Sequence, residues 1–77
     1  MTLVIDLDNG TTVFAEKFKI DYERGLIGIG GSWNWYSDPS ILCEKGGARW
    51  IWCQITDSRH LTLIAVRHII HITKVDA

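Results

Sequence analysis

An all-β fold, a small barrel or a strongly bent antiparallel sheet of five to seven strands, is what this sequence predicts. Three observations carry that expectation. Apolar residues alternate with polar ones through several short segments. Turn signals separate those segments at close intervals. Glycines fall where a small sheet must bend to hide its edges.

The first segment, Leu3 to Leu7, has a period of two and runs into Asn9-Gly10. Both of these residues tolerate the positive φ of a tight hairpin turn. Thr11 to Ala15 returns. A two-residue turn sets Ile5 opposite Phe14 and Leu7 opposite Thr12, with Leu3, Ile5 and Phe14 expected on the core face. Phe18, Ile20 and Tyr22 continue the alternation. Glu23-Arg24-Gly25 reads as a turn, and Leu26 to Gly30 as a strand bent by its glycines.

Residues 30–40 have neither period, yet hold Trp33, Trp35 and Tyr36. Ser40–Glu44 and Arg49–Ile55 then read as strands joined at Gly46-Gly47. That register sets Glu44 opposite Arg49, Cys43 opposite Trp50 and Ile41 opposite Trp52. Asp57-Ser58-Arg59-His60 is a polar turn. Leu61–Val66 and Ile69–Val75 are the last strands, with Arg67-His68 at a corner. A helix over 61–72 competes, but the β-branched content of that stretch favours strand.

The strand Leu61–Ala65, the one-turn corner Val66-Arg67-His68 and the closing strand Ile69–Val75 together resemble the end of an SH3-like or Sm-like small barrel. The resemblance implies a fold and carries no function with it.

At 77 residues the chain makes one domain, which buries only ~60% of its unfolded surface. With 47% apolar residues and four Trp, part of its apolar surface is expected to be buried between subunits of a homo-oligomer. The net charge is −1 with the signs interspersed, which argues against strong binding to duplex nucleic acid. No segment is long enough to span a membrane, and the first residues do not read as a signal peptide, so a cytoplasmic location is expected.

The chemistry-bearing residues are few. Cys43 and Cys53 are expected on opposite sheet faces, unable to bridge. His60, His68 and His71 lack the spacing of a zinc site, and no metal or other cofactor is expected. Gly28 to Ser32 lacks the helix start that a phosphate loop leans on. Asp6 and Asp8 read as solvated turn carboxylates. Ser58, His60 and Asp57 read as turn residues, although they also give the hydrolase alternative its residues.

The aromatic residues remain. Trp33, Trp35, Tyr36, Trp50 and Trp52 are five of the eight Trp, Tyr and Phe residues. Trp50 and Trp52 alternate with Ile51 and so share a face. The expected function is non-enzymatic: binding a protein partner, or self-assembly, through the 30–40 loop. The alternative is a small-ligand binder. In that reading Trp33, Trp35, Tyr36, Trp50 and Trp52 stack a nucleotide or short oligonucleotide, Asn34 reads its edge, and Arg49, Arg59 or Arg67 holds its anion. A sequestering or inhibitory protein of phage or mobile-element type would fit that alternative.

Overall fold

The computed structural model describes residues 2–22, 34–44 and 47–76. The expected turn at 23–25, the strand at 26–30, Trp33 and Gly46 lie outside them. Among the described residues, five strands form one antiparallel sheet in the order β4-β3-β2-β1-β5. They are β1 (Thr2–Leu7), β2 (Thr12–Asp21), β3 (Trp50–Ile55), β4 (Leu61–Ala65) and β5 (Ile69–Val75). A 3₁₀ turn, Val66–His68, joins β4 to β5. The stretch 61–75 is therefore strand, corner and strand, as its β-branched residues predict.

The β1–β2 hairpin differs from the expected two-residue turn by one residue. Leu3 pairs with Ala15, Val4 with Phe14, Ile5 with Val13 and Asp6 with Thr12. The Leu7 amide donates to the Thr11 carbonyl at 2.9 Å and the Gly10 amide to the Leu7 carbonyl at 3.1 Å. The loop is thus Asp8-Asn9-Gly10, with Gly10 at φ 86°, the left-handed position that closes a three-residue hairpin loop. The Thr11 amide also donates to Asn9 Oδ1 at 2.9 Å, which favours this loop over the shorter one. A one-residue slip reverses every side chain. Ala15 is buried and Phe14 is 52% exposed, so Phe14 leaves the expected core face and Val13 and Ala15 join Leu3 and Ile5.

β2 is one long strand with an irregularity between Ala15 and Lys17, where the extra residue Glu16 shifts the register against β3. The bulge exchanges the parity that faces inward. Ala15 points in before it, and Phe18 and Ile20 point in after it. Tyr22 packs against the same core, so the predicted Phe18, Ile20 and Tyr22 face is present. From β3 and β4, Ile51, Cys53 and Ile64 complete the buried set. A second irregularity, between Asp6 and Leu7, bends the pairing of β1 with β5.

Residues 41–44 are a short helix, α1 (Ile41–Glu44), where a strand was expected. The cause is Asp38-Pro39-Ser40. Asp38 Oδ1 accepts from the Ser40 amide at 3.0 Å, and the carbonyls of Asp38 and Pro39 accept from Ile41 and Leu42. An Asp cap followed by Pro is a helix start, and its chemistry outweighs the apolar run after it. The Ser40 amide, with the Ser40 hydroxyl, also lowers the pKa of the exposed Asp38 carboxyl below the usual carboxylate range. The expected pairs Glu44–Arg49, Cys43–Trp50 and Ile41–Trp52 are therefore not made. The partners of β3 are β2 and β4.

The register makes a direct prediction. Phe18→Ala, at a fully buried ring, is expected to cost ~3–5 kcal/mol in urea unfolding. Phe14→Ala, at a half-exposed ring, is expected to cost about 1 kcal/mol or less. A two-residue turn would bury Phe14 and would raise the cost of Phe14→Ala into the range of Phe18→Ala.

Candidate functional site

Past the end of the β1–β2 pairing, residue 36 takes over the free edge of β2. Phe18 and Tyr36 exchange both backbone hydrogen bonds, at 2.9 and 2.8 Å. The Tyr36 ring lies 6.0 Å from the Phe18 ring at a 40° tilt and packs against the core. Its neighbour Trp35 consequently faces the opposite side of the sheet, where side chains alternate. There the ammonium groups of Lys17 and Lys19 sit 4.8 and 4.6 Å from its ring centroid. Each such contact contributes ~0.5–1 kcal/mol at an exposed site. Trp35 is still 36% exposed.

Lys19 stands opposite Trp52, and Trp52 opposite Leu63. A row therefore crosses the outer face from Trp35 through Lys19 and Trp52 to Leu63. Trp52 Nε1 donates to Oδ2 of the buried Asp21 at 3.3 Å, which gives that acid one of its partners. Trp50 and Trp52 share a face, as their spacing predicts. Asn34 is exposed beside Trp35.

The other predicted residues meet at the corner between β3, β4 and the 3₁₀ turn. Trp50 pairs with Ala65. The Val66 amide donates to the Arg49 carbonyl at 2.9 Å, and the Arg49 amide to the Asp21 carbonyl at 3.2 Å. Arg49, Trp50 and Arg67 line a cavity of about 430 Å³ there, which Ala48, Ala65 and Val66 complete. A second cavity of about 570 Å³ adjoins it, between the β1–β2 hairpin and β4. Its apolar lining includes Leu7, Val13, Leu63 and Ile64, and Asp8, Asn9 and His68 are among its polar residues. Trp50, Ala65 and Arg67 line both cavities.

The hairpin is tied to this corner twice. The Asp8 amide donates to the His68 carbonyl at 2.9 Å. His68 Nδ1 lies 2.8 Å from Asp8 Oδ2, and Arg67 Nε donates to His68 Nε2 at 3.4 Å. Asp8 is thus a partner of His68 rather than simply a solvated turn acid. Among the described residues no carboxylate forms an ion pair with Arg49 or Arg67.

The predicted site is therefore divided. Tyr36 faces the core, Trp35 and Trp52 lie in the outer row, and Arg49, Trp50 and Arg67 converge at the corner. Trp33 lies outside the described residues. Sequence reasoning missed Asn9 and the apolar wall of the larger cavity, because only the three-residue loop and the corner bring them together.

Comparison with protein-family models, with curated proteins and with solved structures gave no match.

Elsewhere, Asp57 takes a left-handed φ of 61°, and Ser58 Oγ accepts from the His60 amide at 3.1 Å. That hydrogen bond uses the serine oxygen in turn formation. No group of three His, Cys, Asp or Glu converges on a metal position among the described residues. No helix among them is long and apolar enough to cross a membrane.

Cys43 and Cys53 are both free thiols, the first exposed and the second buried. Burial pushes the Cys53 thiol up to about 12 from an ordinary 9.0, so it stays protonated and unreactive in the folded state. An aromatic disulfide reagent at pH 8 is expected to titrate one thiol rapidly, Cys43, and the second only after denaturation. Above pH 9 the unfolded chain releases the Cys53 proton and the folded chain keeps it. That contribution to stability is full below pH 9 and falls as the pH rises toward 12. Alkaline unfolding curves should show a smaller decline in a Cys53→Ala variant.

Proposed function

We propose that this domain is a non-enzymatic binding module for a planar, anionic ligand of nucleotide type, held where Arg49, Trp50 and Arg67 meet. The observation that supports the reading is that Arg49, Trp50 and Arg67 line one cavity, and that Trp50 and Arg67 also line the cavity adjoining it. Each cavity falls within the ~300–1,000 Å³ typical of small-molecule sites. An indole offers a stacking face worth ~1–3 kcal/mol per base. Among the described residues no carboxylate pairs with either guanidinium, and each can supply charge-assisted bonds to an anion. Their positive charge attracts an anionic ligand to the corner.

The outer row supports a second use, self-association or capture of a protein partner. Leu61 and Leu63 are 43% and 37% exposed on the β4 edge strand, and Leu63 lies beside Trp52. Trp and its apolar neighbours are the residues that anchor protein interfaces. Within the 30–40 loop, Trp35 is exposed for such a contact with Asn34 exposed beside it, whereas Tyr36 packs against the core.

Both readings are open to direct measurement. A thermal-shift screen of nucleotides, followed by calorimetry, is expected to find a ligand that raises Tm and quenches Trp fluorescence. Arg67→Ala is expected to weaken that ligand about 10-fold or more, the equivalent of losing one hydrogen bond from a charged group. Trp50→Ala is expected to weaken it by ~1–3 kcal/mol. No response to any nucleotide at millimolar concentration would sink the ligand reading. Mass by light scattering tests the second use. Leu61→Glu, at an exposed β4 residue that lines neither cavity, is expected to reduce the mass of any oligomer while leaving nucleotide binding intact.

A further inference from the structure

The two cavities differ in chemistry, and the difference gives the ligand a direction. The smaller is walled by Ala48, Ala65 and Val66, short side chains that leave room, and its two ionic groups, Arg49 and Arg67, are both cations. The larger is apolar along Leu7, Val13, Leu63 and Ile64, and its acid, Asp8, is already opposite His68. A phosphoryl group belongs with the guanidinium pair, and a neutral ring belongs with the apolar wall and Trp50. Arg67 and Trp50 stand at the junction.

The hairpin loop adds a reading edge. Asn9 Oδ1 is committed to the Thr11 amide, which leaves the Asn9 amide NH₂ to donate. Asp8 Oδ2 is committed to His68, which leaves Oδ1 to accept. Two residues adjacent in the chain, one with a donor to offer and one with an acceptor, thus both line the larger cavity. Every nucleobase presents the complement on one ring edge, an acceptor next to a donor. A simple aromatic ring does not.

We propose that the corner binds a nucleoside monophosphate lengthwise, with the base in the larger cavity against Trp50, its edge read by Asp8 and Asn9, and the phosphate between Arg49 and Arg67. The proposal rests on the ligand reading above and adds orientation and class to it.

Calorimetry with four probes tests it: a nucleoside 5′-monophosphate panel, the matching nucleosides, phenyl phosphate and inorganic phosphate. The expected order is monophosphate tightest, with nucleoside and phenyl phosphate each at least 10-fold weaker. Arg49→Ala should weaken monophosphate and phenyl phosphate by the same factor and leave the nucleoside unchanged. Asn9→Asp keeps the oxygen that caps the turn and removes the donor. It should weaken monophosphate and nucleoside about 10-fold or more, and phenyl phosphate, which feels only the added charge, by a smaller factor. Circular dichroism and Tm of both variants confirm that the fold is intact.

Nucleoside binding as tight as monophosphate binding would overturn the proposal. So would variants that weaken all probes equally, and in either case the binding site itself would stand. If none of the four probes binds at millimolar concentration, the ligand reading fails together with the orientation.

Discussion

The structure depends on one closure. β4 and β5 lie at opposite ends of the sheet, yet only the three residues Val66–His68 separate them in sequence. A 3₁₀ turn advances ~2 Å per residue. The two ends of a five-stranded sheet are therefore brought together by a link far shorter than the flat sheet is wide, at ~4.8 Å per strand spacing. The sheet must curl, and its concave side becomes the core. The two irregular pairings, at Asp6/Leu7 and at Ala15/Lys17, are where the strands yield to that demand.

The curl also accounts for the corner. Val66 bonds back to Arg49, and His68 bonds across to Asp8. Residues 60 positions apart meet there because the 3₁₀ turn is anchored on both sides. The larger cavity lies along this seam, where the hairpin and β4 approach without becoming hydrogen-bonded neighbours, and the smaller lies at the corner of β3, β4 and the 3₁₀ turn. Arg49, Trp50 and Arg67 are exposed or half-buried there, so their charge and ring are offered to solvent rather than spent inside the fold.

The aromatic residues do not act as one cluster. Antiparallel pairing of residue 36 with Phe18 sends Tyr36 inward, and alternation then sends Trp35 outward onto two lysines. Two adjacent residues thereby acquire different roles from one backbone contact. Trp50 and Trp52 share a face but not a neighbourhood. Trp52 is held by Asp21 under the outer row, while Trp50 opens onto the cavities.

Periodicity belongs to each segment alone, and what depends on it was legible. That covers the strand character of 3–7, 50–55 and 61–75, the common face of Phe18, Ile20 and Tyr22, and the common face of Trp50 and Trp52. Asp38-Pro39 also carried a readable helix start, which the apolar run after it obscured. Register is different. It turned on whether Asp8 belongs to the hairpin loop, a one-residue matter that exchanged Phe14 for Ala15 in the core. The meeting of Arg49, Trp50 and Arg67 with Asp8 and Asn9 depended on closure, which no local pattern encodes. By itself the sequence determined the strand character of most segments and, within each unbroken run, which side chains share a face, because alternation is local. Only the tertiary structure decided which face is inside and which residues form the site, because both follow from turn length, bulges and the joining of the sheet's two ends.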